Sequence, residues 1–276
     1  MLTQRSTETL NVAFEDAQFV VSTNVPEFVT LIRQTYGTRL DGSSTSTVGS
    51  LSVEQTGPDE FSITGSERVG ADKFHSRHLT ARALFQFVKH EIASAFMRAR
   101  ADLLWLHAGA VALDDRAILI CGPSGVGKST LSLALCSAGW QILSDDIAPV
   151  SMQDDIVFPY FQGGVKRVYP GRFLSNAGIH ELEIESVDIE ESRVRQTPAR
   201  FITVIFPEFR HEEGASLEIM KPGAAALELI RNMTNFAGHG DAAVKRARDI
   251  SLSLPVYGMK YGDEQAAIDA LRGVFR

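Results

Sequence analysis

The sequence is short of cysteine, of positive charge and of long apolar runs, and each shortage excludes a class of protein. Two cysteines, Cys121 and Cys136, occur among 276 residues, too few for a disulfide framework or a cysteine-based metal site. Lysine and arginine total 27 against 34 acidic residues, for a net charge of −7, which argues against a general nucleic-acid binder. No apolar run approaches the ~18 residues that cross a bilayer, and residues 1–16 lack the apolar core of a signal peptide. We therefore expect a cytoplasmic protein with neither nucleic acid nor membrane as a partner.

Length and apolar patterning predict an α/β chain in two parts. Hydrophobic residues make up 44% of the 276 residues, enough to fill one large domain or two modest ones. Residues 1–100 are predicted to form a small α/β domain that recognises a substrate or assembles a homo-oligomer. Residues 101–276 are predicted to form a larger α/β domain around a phosphate-binding loop.

Local signals place individual elements in both parts. In the first part, residues 11–22 are predicted to form one strand and residues 51–64 a hairpin. For the second part, the signals predict a hairpin over 103–122 turning at Asp114-Asp115, a strand pair at 201–206 and 216–221, helices from Pro222 and near 241, a strand near 256–261 and a last helix from about Asp263.

A glycine-rich motif follows the predicted strand 117–121 and precedes an apolar helical pattern. It matches G-x-x-x-x-G-K-[ST] at each fixed position. Glycines let the backbone wrap a phosphate with its N–H groups, and the helix N-terminus adds partial positive charge. The candidate nucleotide-binding residues are Gly122, Pro123, Ser124, Gly125, Val126, Gly127, Lys128, Ser129 and Thr130. Lys128 is expected to reach the β- and γ-phosphates and Ser129 to ligate Mg²⁺; a glycine-rich structural turn is the alternative.

Two acids, Asp145 and Asp146, follow this motif after room for a single helix and turn. Residues 140–144 are then the very next strand, and the acids lie at its C-terminal end. Ligands in open α/β sheets bind at such ends, so both acids are predicted to face the γ-phosphate if this strand lies near the one before the motif. One carboxylate could hold Mg²⁺ while the other accepts a proton from an attacking hydroxyl. The alternative is an acidic turn that ends the strand.

Strand register brings His107 to the same place. If the hairpin turn centres on Asp114 and Asp115, His107 falls opposite Gly122 at the mouth of the loop. A slip of one residue would turn its side chain to the other face. A histidine there could contact the phosphates or tune an aspartate; the alternative is a histidine packed within the strand.

Together, His107-Ala-Gly, the glycine-rich motif and Ser144-Asp145-Asp146 resemble the HPr kinase/phosphorylase family and its shorter relatives. The likeness is specific from the histidine to just past the aspartates, and elsewhere it extends only to the order of elements. It implies a P-loop kinase core similar to the C-terminal domain of that family. It also implies ATP- and Mg²⁺-dependent transfer of phosphate to a serine hydroxyl of a peptide or protein. By position, Asp146 matches the family's catalytic base, His107 its supporting histidine, and Ser129 and Asp145 the residues that share Mg²⁺.

The likeness breaks down after the aspartates. Family members that act on HPr carry a Glu-x-Arg-Gly-Leu-Gly signature, whereas residues 159–176 read PYFQGGVKRVYPGRFLSN. This leaves open the HPr substrate, the reverse phosphorylase reaction and a second metal acid. Relatives without the signature include kinases that modify a serine of ribosomally made precursor peptides, such as lasso peptides, and the layout here is similar to theirs.

Other charged residues have weaker functional interpretations. Lys166, Arg167 and Arg172 could bind phosphate or a carboxylate, with a solvated loop or strand face as the alternative. The acidic run 180–192 is predicted to be a half-buried strand with a solvated side. Arg195 and Arg200 are candidates to contact a transferred phosphate.

Two other functions compete with a serine kinase. One is a nucleotide-gated binding module that hydrolyses ATP slowly, and the other is a small-molecule kinase. An ABC-type transport ATPase is disfavoured because the sequence has no LSGGQ-like signature and the acids follow the glycine-rich motif too soon.

Overall fold

Two large sheets, each packed against its own helices, organise the chain. The computed structural model describes residues 6–40, 46–57, 60–65, 74–77, 81–168, 183–187, 189–210 and 214–275. The chain divides into two compact units, Met1–Ala101 and Asp102–Arg276. Both units mix helices and strands, so the mixed α/β class predicted from the sequence is confirmed.

The first unit is built on a five-stranded sheet. Its elements are β1 Glu8–Phe14, β2 Ala17–Thr23, α1 Pro26–Tyr36, a 3₁₀ turn Gly37–Arg39, β3 Ser46–Gly57, β4 Glu60–Thr64, β5 Phe74–Arg77 and α2 Ala81–Ala99. The strands lie in chain order, with β2 and β3 parallel and the other neighbours antiparallel. Burial alternates along β1 and β2, as in a sheet with one packed face.

One strand prediction for this unit is wrong and one is confirmed. Residues 11–22 are not a single strand, because Glu15 and Asp16 form the turn between β1 and β2. Glu15 has a φ of 54°, which interrupts extended backbone. The hairpin over 51–64 is confirmed by the antiparallel pairing of β3 with β4.

The second unit contains a nine-stranded sheet with helices on both faces. Its elements are β6 Leu103–Leu106, β7 Ala108–Leu113, β8 Arg116–Cys121, α3 Lys128–Ser137, β9 Gln141–Ser144, β10 Ala148–Ser151, β11 Ile156–Val157, β12 Gly164–Val168, β13 Glu183–Val187, a 3₁₀ turn Glu191–Arg193, β14 Ala199–Phe209, β15 Ala215–Ile219, α4 Pro222–Arg231, α5 Phe236–His239, α6 Asp241–Ser253, β16 Val256–Tyr261 and α7 Glu264–Val274. The strand order is β6-β10-β11-β14-β8-β7-β9, with β16 joined to β14 and β15 joined to β16. Strands β12 and β13 form a separate hairpin.

Strand directions bring several strand ends to one edge of this sheet. Strand β14 is parallel to β8 and to β16, and β7 is antiparallel to both β8 and β9. Strands β8, β9 and β16 therefore all run the same way. Their last residues, Cys121, Ser144 and Tyr261, lie at one edge, together with the first residue of β7. We call this edge the loop edge, since the glycine-rich loop leaves β8 there.

The core lies on both faces of the sheet, which explains the unbroken apolar run of β8. Ile118 and Ile120 pack with apolar residues of α3 and α7. Leu119 and Cys121 point the other way and pack with α4, α6, β6 and β10. Burying each large aliphatic side chain contributes about 1.5–3 kcal/mol. This two-sided burial holds the start of the glycine-rich loop on a rigid strand.

The remaining element predictions have mixed outcomes. The hairpin turning at Asp114-Asp115 is confirmed for β7 and β8, whereas residues 103–106 form β6 and pair with β10 instead. The predicted strand pair is wrong, because β14 and β15 each pair with β16 and not with each other. The helix starts at Pro222 and after Asp263 are confirmed, and the Asp263 carboxylate accepts a hydrogen bond from Ala266 N at 2.7 Å. Over the described ranges, no helix has the length and apolar character to span a membrane.

Candidate active site

The loop between β8 and α3 turns at glycines. Gly122, Gly125 and Gly127 have φ values of 148°, 93° and 99°, which residues with a Cβ rarely adopt. Gly127 immediately precedes α3, so the helix begins directly from the loop. The N–H groups of a first helical turn and the helix dipole favour a bound anion. The loop edge therefore presents a site suited to phosphate.

Tyr261, at the end of β16, braces the last glycine of this loop. Its hydroxyl donates to Gly127 O at 3.1 Å, and a Cβ on Gly127 would lie 2.4 Å from the same oxygen. Burial, with a smaller contribution from Glu264, raises the pKa of Tyr261 to about 12. The hydroxyl is therefore a constant donor at neutral pH. The sequence analysis missed Tyr261, since a tyrosine that ends a strand carries no signal of a contact with a distant loop.

The Lys128 side chain folds back into the loop. Its Nζ donates to Gly122 O at 2.7 Å and to Pro123 O at 3.0 Å. Lys128 is only 5% exposed, and a buried ammonium needs such acceptors. Phosphate oxygens are hydrogen-bond acceptors and could replace these carbonyls as partners of the ammonium.

His107 lies where the register predicted. The ladder pairs Ala108 with Cys121 and Leu113 with Arg116, so His107 continues it opposite Gly122, and the predicted register is confirmed. Its backbone N–H donates to Asn232 O at 2.7 Å. This bond fixes the point at which the chain enters β7.

Asp146 meets His107 at the loop edge. Its Oδ1 lies 3.0 Å from His107 Nε2, and the side chains are 59% and 31% exposed respectively. Asp145 is buried, with 4% of its surface exposed. The two neighbouring acids therefore differ in access, and Asp146 is the one that an incoming hydroxyl can reach.

Strand β9 carries these acids to the loop edge by a different path from the one expected. The prediction for the acids was conditional on β9 lying near β8; β7 lies between them, so the two strands are about 10 Å apart, or two strand spacings. Because β7 is antiparallel to both, the C-terminal ends of β8 and β9 still share an edge. His107, directly before the intervening strand, lies opposite Gly122 in register and contacts Asp146.

Ser144 shapes the turn that presents the two acids. Its Oγ donates to Ile147 O at 2.7 Å and lies 3.2 Å from Ala108 O. The side chain is fully buried. The turn that carries Asp145 and Asp146 is thus held by a hydrogen bond within the turn and by a contact with β7.

Gly109 lets α3 approach β7 closely. A Cβ on Gly109 would lie 2.5 Å from Ser132 Oγ and 3.5 Å from Ser144 O. An alanine at this position would require the Ser132 hydroxyl or the surrounding backbone to shift. The contact sets the position of Lys128 and Ser129, at the start of α3, relative to the strand that follows His107.

A magnesium ion at the loop edge could share its coordination between protein oxygens, waters and bound phosphates. Among the described residues, no three His, Cys, Asp or Glu side chains are grouped to hold a metal ion. Mg²⁺ commonly takes one or two carboxylates together with waters and substrate phosphates. Ser129, the second residue of α3, and Asp145 are oxygen donors of the kind this mode requires.

Arg195 and Arg200 lie at the opposite edge of the sheet. The Arg195 guanidinium donates to Asp114 O at 2.5 Å and to Asp115 Oδ1 at 3.0 Å, in the β7–β8 turn. Arg200 pairs in register with Arg116 at the start of β8. One strand length separates both from the glycine-rich loop, so neither meets a phosphate held there.

Part of each charged segment lies in the separate hairpin. Lys166 and Arg167 belong to β12, and residues 183–187 of the acidic run form β13. The strand prediction for that run is confirmed for these residues. Arg172 lies outside the described residues, and a role for this segment stays a prediction.

Two asparagines after α4, one contacting β6 and the other contacting the residue before β7, were not found from the sequence. Asn232 O receives the His107 N–H. Asn235 Oδ1 accepts from Trp105 N at 3.0 Å, and its Nδ2 donates to Leu103 O at 2.9 Å. Their only sequence signal is their place just after a predicted helix, which does not identify the strand they contact.

Comparison with known proteins finds likeness among solved structures only. No protein-family model and no curated protein sequence matches the chain. Among solved structures, the chain is similar to the Hpr(Ser) kinase/phosphatase from Coxiella burnetii, with 16% identity and a TM-score of 0.32. The match covers 62% of this chain and 99% of that one. A likeness of this strength does not establish a family, so a function has to rest on the site itself.

Proposed function

We propose that the chain is a kinase that transfers the γ-phosphate of ATP, with Mg²⁺, to a serine hydroxyl of a peptide or protein. The observation that carries this proposal is the His107–Asp146 pair, 3.0 Å apart, at the edge from which the glycine-rich loop leaves β8. Phosphoryl transfer needs groups that bind the phosphates, groups that neutralise their negative charge, and a group that orients and deprotonates the attacking hydroxyl. The loop edge supplies candidates for each.

Asp146 is the proposed base. Its side chain is 59% exposed, so a hydroxyl can approach the carboxylate while the His107 imidazole holds Oδ1. The serine oxygen forms a bond to the γ-phosphorus, the bond to the β–γ bridging oxygen breaks, and the serine proton passes to Asp146. ADP is the leaving group. The positioned base accounts for about 10²–10⁴-fold of the rate.

The glycine-rich loop stabilises the negative charge of the transferred phosphate. The N–H groups of the glycine-rich loop, the N-terminus of α3 and Lys128 bind the phosphates. Ser129 and Asp145 would hold Mg²⁺, which neutralises the β- and γ-oxygens. Burial of Asp145 suits a fixed ligand better than a proton acceptor that must meet substrate.

The proposal that a serine hydroxyl receives the phosphate rests on the sequence motifs and not on a substrate pocket. The likeness of His107, the glycine-rich motif and the paired aspartates to serine kinases of the HPr kinase type favours a serine on a peptide, such as a lasso-type precursor. The first unit, Met1–Ala101, is proposed to recognise that peptide or to assemble a homo-oligomer.

The decisive experiment uses γ-labelled ATP, Mg²⁺ and candidate serine peptides, with mass spectrometry of the products. A phosphoserine peptide formed by the wild-type chain and lost with Asp146→Asn supports the proposal. Steady ADP release without a labelled product would instead indicate a nucleotide-gated ATPase. A labelled metabolite with no labelled peptide would indicate a small-molecule kinase.

A further inference from the structure

A groove of about 590 Å³ runs between α3 and α7. Thr130, Leu133 and Ser137 line it from α3, and Asp263, Glu264 and Ile268 line it from the start of α7. A volume of this size is typical of small-molecule sites. Thr130 is a candidate nucleotide-binding residue, and none of the roles proposed above uses the other groove residues.

The groove begins where the glycine-rich loop ends. Thr130 follows Ser129 in the first turn of α3. The turn after β16 forms the opposite wall. Tyr261, the last residue of β16, donates to Gly127 O at 3.1 Å. Ligands of α/β sheets extend across the C-terminal ends of neighbouring parallel strands. A molecule with its phosphates in the loop could therefore place its other end in this groove.

The groove has an apolar wall and an acidic rim. Leu133 and the buried Ile268 offer aliphatic surface. The Asp263 carboxylate caps α7 by accepting from Ala266 N at 2.7 Å. Glu264 is exposed and makes no hydrogen bond or ion pair with another described residue. Carboxylates repel phosphates and accept hydrogen bonds, so the groove suits an uncharged group with an apolar face and N–H or O–H donors at its edge.

We propose that this groove holds the nucleoside of a purine nucleotide, with Leu133 and Ile268 against the base and Glu264 accepting from an amino or hydroxyl group. The inference rests on the proposed function, because it requires the glycine-rich loop to bind phosphates. It adds a site for the nucleoside, and it assigns Glu264 a part in recognising ATP.

The test compares the binding of ATP and of inorganic tripolyphosphate, each with Mg²⁺, by calorimetry on the full chain. Ser137 is exposed on α3, so Ser137→Trp should fill the groove without disturbing the fold. ATP affinity should fall about 10-fold or more, towards that of tripolyphosphate, while tripolyphosphate binding is unchanged. Glu264→Gln, which keeps the side-chain volume, should weaken ATP binding alone by about 10-fold. Val244→Trp, at an exposed position of α6, is the matched control and should alter neither.

Different failures have different meanings. If the wild-type chain binds ATP no more tightly than tripolyphosphate, or if both groove variants bind ATP normally, the groove is not the nucleoside site. If the chain binds neither compound, the proposed function fails and this inference fails with it. The tripolyphosphate measurement tells the two cases apart, and a thermal melt checks that Ser137→Trp is folded.

Discussion

His107 Nε2 lies 3.0 Å from Asp146 Oδ1, although the residues are 39 positions apart, one directly before β7 and the other in the turn after β9. The contact exists because β7 inserts between β8 and β9 in the sheet. Ser144, the last residue of β9, pairs with Ala110, so the residue before β7 and the turn after β9 both lie at the edge from which the glycine-rich loop departs. The candidate acid–base pair is thus a product of strand order.

Asp146→Asn should separate binding from transfer. We expect nucleotide affinity to be retained and phosphate transfer to fall by at least ~10²-fold, because asparagine cannot accept the proton. Calorimetry and single-turnover kinetics measure the two effects. Asp114→Asn is the matched control, since Asp114 lies at the opposite sheet edge and its φ of 55° suits asparagine. Near-normal transfer by Asp146→Asn would remove Asp146 from the role of base.

His107→Ala tests whether the histidine positions Asp146. The bond to Asn232 O comes from the backbone N–H, so the substitution leaves that anchor intact. We expect kcat to fall by about 10-fold or more while KM for ATP changes little, the pattern of an interaction made mainly in the transition state. Steady-state kinetics provide the readout. An unchanged kcat, or a loss confined to KM, would show that the pair does not serve the chemical step.

Gly109→Ala should destabilise the second unit through one identifiable clash. The new Cβ would lie 2.5 Å from Ser132 Oγ, and we expect a cost of about 1–3 kcal/mol in the free energy of unfolding. Ser132 Oγ is buried with no hydrogen-bond partner among the described residues, so Ser132→Ala alone should be nearly neutral. The double variant should recover most of the loss, because Ser132 Cβ is 3.7 Å away. Urea denaturation of the four proteins measures this coupling, and additive losses would rule out the clash.

Gly127→Ala should abolish nucleotide binding for two reasons. The residue has a φ of 99°, and the added Cβ would lie 2.4 Å from Tyr261 Oη and 3.3 Å from Cζ. Tyr261→Phe alone should cost about 1 kcal/mol of stability through the lost hydrogen bond. Added to Gly127→Ala, it should restore binding only in part, since the backbone strain remains. Full recovery in calorimetry would mean that the hydroxyl contact was the sole constraint.

Arg246→Met should be far more damaging than Arg248→Met on the same helix. The Arg246 side chain is 8% exposed and lies 3.0 Å from Asp155 Oδ1. Removing it leaves the Asp155 carboxylate, whose side chain is 16% exposed, without its partner, at a cost of about 3 kcal/mol, the low end for a buried pair. The side chains of Arg248 and Asp249 are 60% and 42% exposed, so their pair should contribute about 0–1 kcal/mol. Equal shifts in the denaturation midpoint would contradict the assignment of Arg246 as a buried clamp.

Features that depend on near neighbours in the chain were predictable. The turn at Asp114-Asp115 gave the register of β7 against β8 and so the position of His107. The start of α7 followed from Asp263, whose carboxylate caps the helix. The glycines of the loop were expected at turns that other residues cannot make, and Gly122, Gly125 and Gly127 have positive φ. In each case the controlling interaction lies within a few residues or within one hairpin.

Features that depend on distant pairing were not predictable. Residues 256–261 insert as β16 between β14 and β15, so the expected strand pair does not form. Tyr261 reaches the glycine-rich loop, and Asn232 reaches His107, only after the sheet has assembled. Apolar periodicity says that a strand is buried without saying which strand lies beside it.

By itself, then, the sequence determined the glycine-rich loop, the hairpin that precedes it and the acids that follow the next strand, because local backbone preferences and turn chemistry specify each. Only the tertiary structure decided that β7 separates β8 from β9, that Asp146 meets His107, and that Arg195 lies at the far edge. The physical reason is that strand order is chosen by burial of both sheet faces, to which residues far apart in the chain contribute together.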